Sequence, residues 1–311
     1  MTTSRAQADT LPELHLADWR QTKDTLHLYG QILGKIRLAT TAPRNQWWHV
    51  PLYLDVRGLT TRRMHHHGTT FDITLDFLDD AVVVRTAGGD VARIEIGDGL
   101  PVAEFDSRLH ATLARLGIDV AIREEPYRVP MTTPFPQDLE HAAWDRDAVE
   151  RFFRILDWSD EVFEEFAGRF NGKTSPVHLF WHSFDLAVTR FSGRRGLSLD
   201  DPVDREAYSQ EVISFGFWAG DDTIGDAAYY SYTSPEPEGL RDEPLALGEW
   251  IEFGAGSLAL LRYDQLRRAA DPKTTLLAFC QSAYDAGARL AGWDTDSFES
   301  TWWAAERGTH V

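Results

Sequence analysis

The stretch that decides the fold is Pro176-Val177-His178-Leu179-Phe180-Trp181-His182-Ser183-Phe184-Asp185-Leu186-Ala187-Val188-Thr189-Arg190-Phe191-Ser192-Gly193-Arg194. Its mixture of aromatic, aliphatic and ionisable residues fits a buried element whose polar groups face something other than bulk water. As a helix, with Ser175 as N-cap and Pro176 in the first turn, it would line up His178, His182, Asp185 and Thr189 on one face. Histidines four apart on a helix lie about 6 Å from each other and can share a metal. As a strand, the same pair lies about 13 Å apart at a rise of about 3.3 Å per residue and cannot share one ion. We read the run as a strand. Residues 147–170 before it form an amphipathic helix, with Val149, Phe152, Phe153, Leu156 and Phe163 inward, which needs a sheet against its apolar face.

Outward from that run, the periods are legible. Leu26, Tyr29, Leu33 and Ile36 fall at helical spacing within 13–38, and His27, Gln31 and Lys35 form a polar stripe on a neighbouring face. Trp47 to Thr61 alternates and reads as a strand. Residues 71–78 and 81–86 form a hairpin, 91–96 a further strand, 103–116 a helix ending at Gly117, and 118–124 a strand. Pro126, Pro130, Pro134 and Pro136 do not fit inside helix or central sheet. Beyond them, 204–211 reads as a short helix, and 213–218, 227–232, 250–253 and 257–261 as strands. Asp271-Pro272 opens a helix that runs to Leu290.

The order helix, strands, helix occurs twice. Leu54-Asp55-Val56 echoes Phe184-Asp185-Leu186, and Ala114-Arg115-Leu116 echoes Ala288-Arg289-Leu290. The expected fold is therefore α+β, with two similar helix–strands–helix halves, mixed or antiparallel sheet and an internal duplication. The expected division is a flexible tail at 1–12, an N-terminal half at 13–125, a Pro-rich connection at 126–140, a C-terminal half at 141–294 and a tail at 295–311. A cleft between two such halves is a common ligand site.

Composition narrows the function. The 311 residues carry a formal net charge of -18, which argues against nucleic acid and anionic membranes as partners, since phosphate binding needs clustered Lys and Arg. A local cationic pocket remains compatible with it. The lone cysteine, Cys280, forms no internal disulfide and reads as a buried thiol in an amphipathic helix. No apolar run approaches the about 20 residues that span a bilayer, and the N-terminus lacks a signal core. The expected location is cytoplasmic. Phosphate loop, dinucleotide glycine fingerprint, HExxH and GxSxG are all absent.

Several motifs resemble a bacterial family catalogued only as a domain of unknown function. They are Thr25-Leu26-His27, Gly34-Lys35-Ile36-Arg37-Leu38, Trp47-Trp48-His49-Val50-Pro51, Pro176-Val177-His178, Phe184 through Arg194, Ala207-Tyr208-Ser209-Gln210-Glu211-Val212, Gly216-Phe217-Trp218, and Tyr230-Ser231-Tyr232 with Ser234-Pro235-Glu236-Pro237. The resemblance covers about 13 to 294. It implies one full-length, bacterial, cytosolic unit and assigns no substrate or cofactor. His182 departs from the pattern, where a small residue is expected, and so does Gln210, where histidine is expected. Both departures weaken any mechanism that depends on His182.

The residues that could line a ligand site are His27, Lys35, Arg37, His49, His178, Asp185, Arg190, Glu211 and Tyr232. His27, Lys35 and Arg37 are a cationic lining or a solvated helix face. Trp47-Trp48-His49 is a binding wall or an aromatic core. Asp185, if buried, must be paired, and Arg190 is a candidate partner, although strand parity sets the two on opposite faces. His178 and Glu211 are the candidates for acid/base catalysis; Tyr232 stands at a strand end beside Glu236. His65-His66-His67 reads as a surface turn, because neighbouring side chains in a strand point apart. The function expected is binding or transformation of a small, anionic metabolite, with cofactor unspecified. The alternatives are a non-catalytic interaction module, and a metalloprotein using His178 with His182 or Glu211.

Overall fold

A computed structural model describes residues 11–254 and 256–298; the remainder of the tails expected at 1–12 and 295–311 lies outside them. The chain is α+β, with helices and two antiparallel sheets. It divides into two compact units. The first is Leu14–Asp157 with His178–Asp185, and the second comprises the described parts of Met1–Glu13, Trp158–Val177 and Leu186–Val311.

The first unit opens with α1 (Leu16–Thr40). Strands β1 (Tyr53–Asp55), β2 (Gly58–Thr60), β3 (Met64–His66), β4 (Thr69–Asp76), β5 (Ala81–Thr86) and β6 (Val91–Glu95) follow, then α2 (Val102–Arg115). The sheet is a meander in the order β1-β2-β4-β5-β6, with β3 paired to β4. The strand expected over Trp47–Thr61 is corrected to a hairpin. Val56 and Arg57 turn the chain, and Gly58, at φ 149°, approaches the Leu75 carbonyl so closely that a Cβ would collide with it. Phe71, Ile73 and Leu75 of β4 and Val82 and Val84 of β5 are buried. Tyr29 of α1 stacks on Phe105 of α2 at 3.8 Å and donates its hydroxyl to the Leu100 carbonyl at 2.7 Å.

Every residue of α1 from Thr25 to Arg37 is buried, so the polar stripe is not a solvated face. A polar group buried without a partner costs about 1–3 kcal/mol, and each member of the stripe has a main-chain partner. His27 Nε2 donates to the Trp181 carbonyl at 2.9 Å. Gln31 donates to the Tyr127 carbonyl at 3.0 Å and accepts from its N–H at 2.8 Å. Lys35 Nζ donates to the Arg123 carbonyl at 3.1 Å and to that of Glu125. This explains a second correction. Residues 118–124 form no strand; the backbone that follows is held by side chains of α1 rather than by a neighbouring strand.

Helix α3 (Arg146–Gly168) begins in the first unit, where Phe152 packs on Trp19 at 4.9 Å and Phe153 on Phe77 at 5.6 Å. The deciding run is extended, as expected, but it is not one strand. Strand β7 (His178–Phe180) and β8 (Asp185–Arg195) are separated by a turn at 181–184. The turn is closed by the Phe184 N–H on the Phe180 carbonyl at 2.7 Å. Phe184 takes a left-handed φ of 56°, a conformation rare for a bulky residue. Its ring stacks on His27 at 4.8 Å and on Phe152 at 5.5 Å, contacts that offset the strain.

In the second unit, α4 (Pro202–Ala207), β9 (Gln210–Trp218), β10 (Ala228–Ser234), β11 (Glu249–Phe253), β12 (Gly256–Arg262), α5 (Tyr263–Arg267), α6 (Pro272–Leu290) and α7 (Thr295–Phe298) follow β8. The strand order is β11-β12-β10-β9-β8, and α6 packs on β9 and β10. The start expected at Asp271-Pro272 holds: Asp271 caps α6 by accepting from the Thr274 N–H at 3.0 Å. Cys280 of α6 is buried, and burial pushes its thiol up to about 12. The duplication is not confirmed by the sheets, since the first keeps sequence order to its edge while the second exchanges its last two strands. Strand β3 and helices α5 and α7 had no counterpart in the sequence reading.

Candidate functional site

Three side chains of the first unit lie around the ring of a fourth, Tyr53. The backbones of Leu52 and Leu179 exchange hydrogen bonds at 2.9 and 2.8 Å, and this antiparallel register sets Tyr53 opposite His178. The imidazole of His178 meets the Tyr53 ring edge-on at 6.0 Å. Pairing of β1 with β2 places Thr60 opposite Tyr53. Two residues on, the Arg62 guanidinium lies over the Tyr53 ring at 3.4 Å. Arg37, in the last turn of α1, brings its guanidinium to 5.4 Å from the same ring. Its Nη1 donates to the Thr61 carbonyl, and it shares a further side-chain hydrogen bond with Tyr53.

The electrostatics of this cluster are one-sided. Arg37, Tyr53 and His178 are buried, while Arg62 is exposed. No carboxylate forms an ion pair with Arg37 or Arg62 among the described residues. Arg37 Nε and His178 Nδ1 are buried without a hydrogen-bond partner among the described residues. Burial, with the charges of Arg62 and Arg37, pushes His178 down to about 3, so its ring is neutral near pH 7. Burial also lowers Arg37, and Arg62 and Arg44 lower it further, against the raising effect of Tyr53, to which Arg37 donates. Arg62, within the cluster, holds left-handed backbone at φ 54°. Non-glycine strain of this kind gathers at ligand sites.

The other residues singled out in the sequence are placed elsewhere. His27 and Lys35 are engaged with the backbone, and burial, helped by Lys23, pushes His27 down to about 3. His49 Nδ1 accepts from the Arg44 N–H at 3.1 Å, and its ring stacks on Trp47 at 5.5 Å. Asp185, in the first unit, accepts from the Ser183 hydroxyl.

Arg190, in the second unit, donates to the Phe166 carbonyl at 2.6 Å. Its guanidinium sits among the rings of Phe166, Tyr284 and Phe170 at 3.6, 4.5 and 5.0 Å. That is a buried cation–π arrangement, and burial lowers its pKa to about 10. Glu211, also in the second unit, accepts from Ser192 at 2.8 Å and from Arg194 at 2.6 Å. Arg194 in turn donates to the Ala291 carbonyl at the end of α6 at 2.6 Å. The Tyr232 hydroxyl meets that of Tyr208 at 3.3 Å. Thus Arg37 and His178 both lie near the ring of Tyr53, which also carries Arg62 on its face; neither Tyr53 nor Arg62 was among the residues expected from the sequence. The available signal for Arg62 was its place two residues past the second strand of a hairpin, on the parity of Thr60.

Among the described residues, no group of three or more His, Cys, Asp and Glu could hold a metal ion. A separate groove of about 630 Å³ on the second unit is lined by Ile224, Asp226, Arg262, Asp264 and Arg268. Among the described residues no helix is long and apolar enough to cross a membrane. No curated protein and no solved structure matches the chain. The model of a family of unknown function (DUF5996) matches residues 11–300, and the chain belongs to that family.

Proposed function

We propose that the protein is a cytosolic binder of a small anionic metabolite, held by Arg37, Arg62 and His178 around Tyr53. The observation that carries this reading is the pairing pattern. In a chain of net charge -18, Arg37 and Arg62 both approach the Tyr53 ring, at 5.4 and 3.4 Å, and neither forms an ion pair with a carboxylate among the described residues, where Arg37 Nε and His178 Nδ1 also have no hydrogen-bond partner. Buried donors without acceptors are costly, and like charges held together add to that cost. A bound anion removes both penalties at once, with charge-assisted hydrogen bonds as the gain. It also offsets the field of the two arginines at His178, which after burial is the lesser cause of that ring's lowered pKa.

The test is calorimetric titration of the protein with phosphate, sulfate, acetate and succinate, against sodium chloride at matched ionic strength. At least one of these anions is expected to bind with a Kd of about 1 mM or tighter. Arg62→Ala, a change at an exposed side chain, is expected to weaken it by about 10- to 100-fold, the range of one charge-assisted hydrogen bond. Binding that survives Arg62→Ala undiminished, or no binding beyond chloride, removes the reading.

A further inference from the structure

We infer that the protein associates with a second copy of itself through the free edge of its first sheet. Strand β6 of each chain pairs antiparallel with β6 of the other, and Arg93 of each stands opposite the partner's Glu95. The inference is independent of the anion site, none of whose residues lies on β6.

The edge is open. Strand β6 is last in the order β1-β2-β4-β5-β6, whereas beside the opposite edge Leu52, just before β1, is bridged to Leu179. The ladder fixes the direction of the main-chain groups of β6. The Thr86 N–H donates to the Asp90 carbonyl and the Ile96 N–H to the Asp80 carbonyl, each at 2.9 Å. Between them, Val84 stands opposite Ala92 and Val82 opposite Ile94. Antiparallel residues alternate between bonding inward and outward, so the N–H and C=O groups of Val91, Arg93 and Glu95 point away from β5. Among the described residues these groups have no main-chain partner outside the sheet. All three residues are exposed, Val91 at 68%.

Charge selects the occupant and the register. An open edge is a template for a further strand, and charged side chains commonly keep it unpaired. The charges of β6 act more narrowly, since they leave one register open. When two copies pair, outward-bonding residues stand opposite outward-bonding residues. Arg93 opposite the partner's Arg93, or Glu95 opposite the partner's Glu95, sets like charges directly across, which destabilises a strand pair. A larger slip takes Glu95 past the end of the partner's strand. The register between the two like-charged ones puts Ile94 on the two-fold axis, with Arg93 opposite the partner's Glu95 on both sides. Within each chain Arg93 Nε already donates to Glu95 Oε1 at 2.5 Å. Pairing joins the two couples into one row of alternating sign, a closed and self-complementary contact. The edge strand of the second sheet is the contrast: β11 carries Glu249 and Glu252 and no cation, so it cannot complement itself.

The experiment is sedimentation velocity on the full chain at concentrations up to about 1 mM, a range that covers weak association through one short strand pair. A reversible dimer is expected. Arg93→Glu sets a carboxylate opposite the partner's Glu95, and Glu95→Arg sets a guanidinium opposite the partner's Arg93. By symmetry each change acts at both ends of the contact, and each is expected to weaken association by at least about tenfold. An equimolar mixture of the two variants restores opposite charges at both positions and should recover the affinity of the unaltered protein as a heterodimer. Both side chains are exposed, and equal unfolding midpoints would confirm that the variants fold. Amide hydrogen exchange on the unaltered protein gives a second reading. The amides of Val91, Arg93 and Glu95 should slow as concentration rises through the transition, while those of Ala92 and Ile94, already bonded to β5, should not change. A monomer at every concentration overturns the inference. So does a dimer that either reversal leaves intact, a loss that the mixture does not recover, or edge amides that fail to slow.

Discussion

Lowering the pH from 6.5 towards 4 is expected to destabilise the fold steeply through two histidines. His27 and His178 are buried, and both are pushed down from 6.5 to about 3, in each case chiefly by burial. Below pH 6.5 the unfolded chain binds protons at both positions while the folded chain does not. Unfolding therefore takes up protons, and stability falls with falling pH until the folded-state values near 3 are reached. Each site contributes a slope of up to about 1.4 kcal/mol per pH unit, and on the order of 5 kcal/mol over the whole window.

His110 behaves in the opposite sense. Its hydrogen bond to Asp106 raises it, so its contribution is complete below pH 6.5 and is lost only above it. It adds no slope in the acid window. Urea unfolding at half-unit steps from pH 6.5 to 4.5 reads the effect, and carboxylates contribute equally to all variants. His27→Gln keeps an N–H donor for the Trp181 carbonyl and should flatten the slope by about 1.4 kcal/mol per pH unit. An identical slope in the variant would show that His27 is not neutral and buried as described.

The second large effect concerns two glycines one turn apart on α1. A Cβ on Gly34 would collide with the indole ring of Trp181. That ring is fixed on one side by its Nε1 donating to the Val50 carbonyl at 3.0 Å, while its residue's own carbonyl accepts from His27. Gly34→Ala must therefore displace a buried tryptophan. Overpacking costs about 1–3 kcal/mol, and loss of the Val50 bond adds about 1–3 kcal/mol. The helix propensity of alanine returns about 1 kcal/mol, for a net loss of about 3 kcal/mol.

Gly30 is the internal control. A Cβ there meets Phe184 Cε2 at 3.5 Å, an ordinary contact, so Gly30→Ala should be neutral or stabilise by up to about 1 kcal/mol. Equal unfolding midpoints for the two variants would contradict the packing of Trp181.

These residues also show how far the sequence could be read. The helices α1, α3 and α6 and the β4–β5 hairpin are local facts of period, cap and turn, and they were legible. The extended character of the deciding run was legible too, because α3 needed a sheet. Its interruption at 181–184 was not. That turn has no glycine, proline or asparagine, and Phe184 enters the left-handed region only because His27 and Phe152 receive its ring. The stripe His27, Gln31, Lys35 was visible as spacing, but its meaning depended on distant backbone, Trp181 for His27 and the segment 123–127 for Gln31 and Lys35. For the candidate site, Arg37 and His178 were legible as residue types out of place in apolar elements. Arg62 was hidden beside His65-His66-His67 in what read as a surface turn, and Tyr53 in an alternation that the turn at 56–57 in fact breaks.

The side chains of α1 that hold the segment 123–127 have a consequence for how this chain can vary. Gln31 and Lys35 recognise main-chain atoms, which every residue but proline supplies in full. Substitutions at Arg123, Glu125 and Tyr127 leave those contacts intact, whereas a change at Gln31 or Lys35 releases the segment whatever its letters are. The loop is thus free to drift in sequence while the helix is not, and an alignment would show the constraint a long way from the backbone it protects.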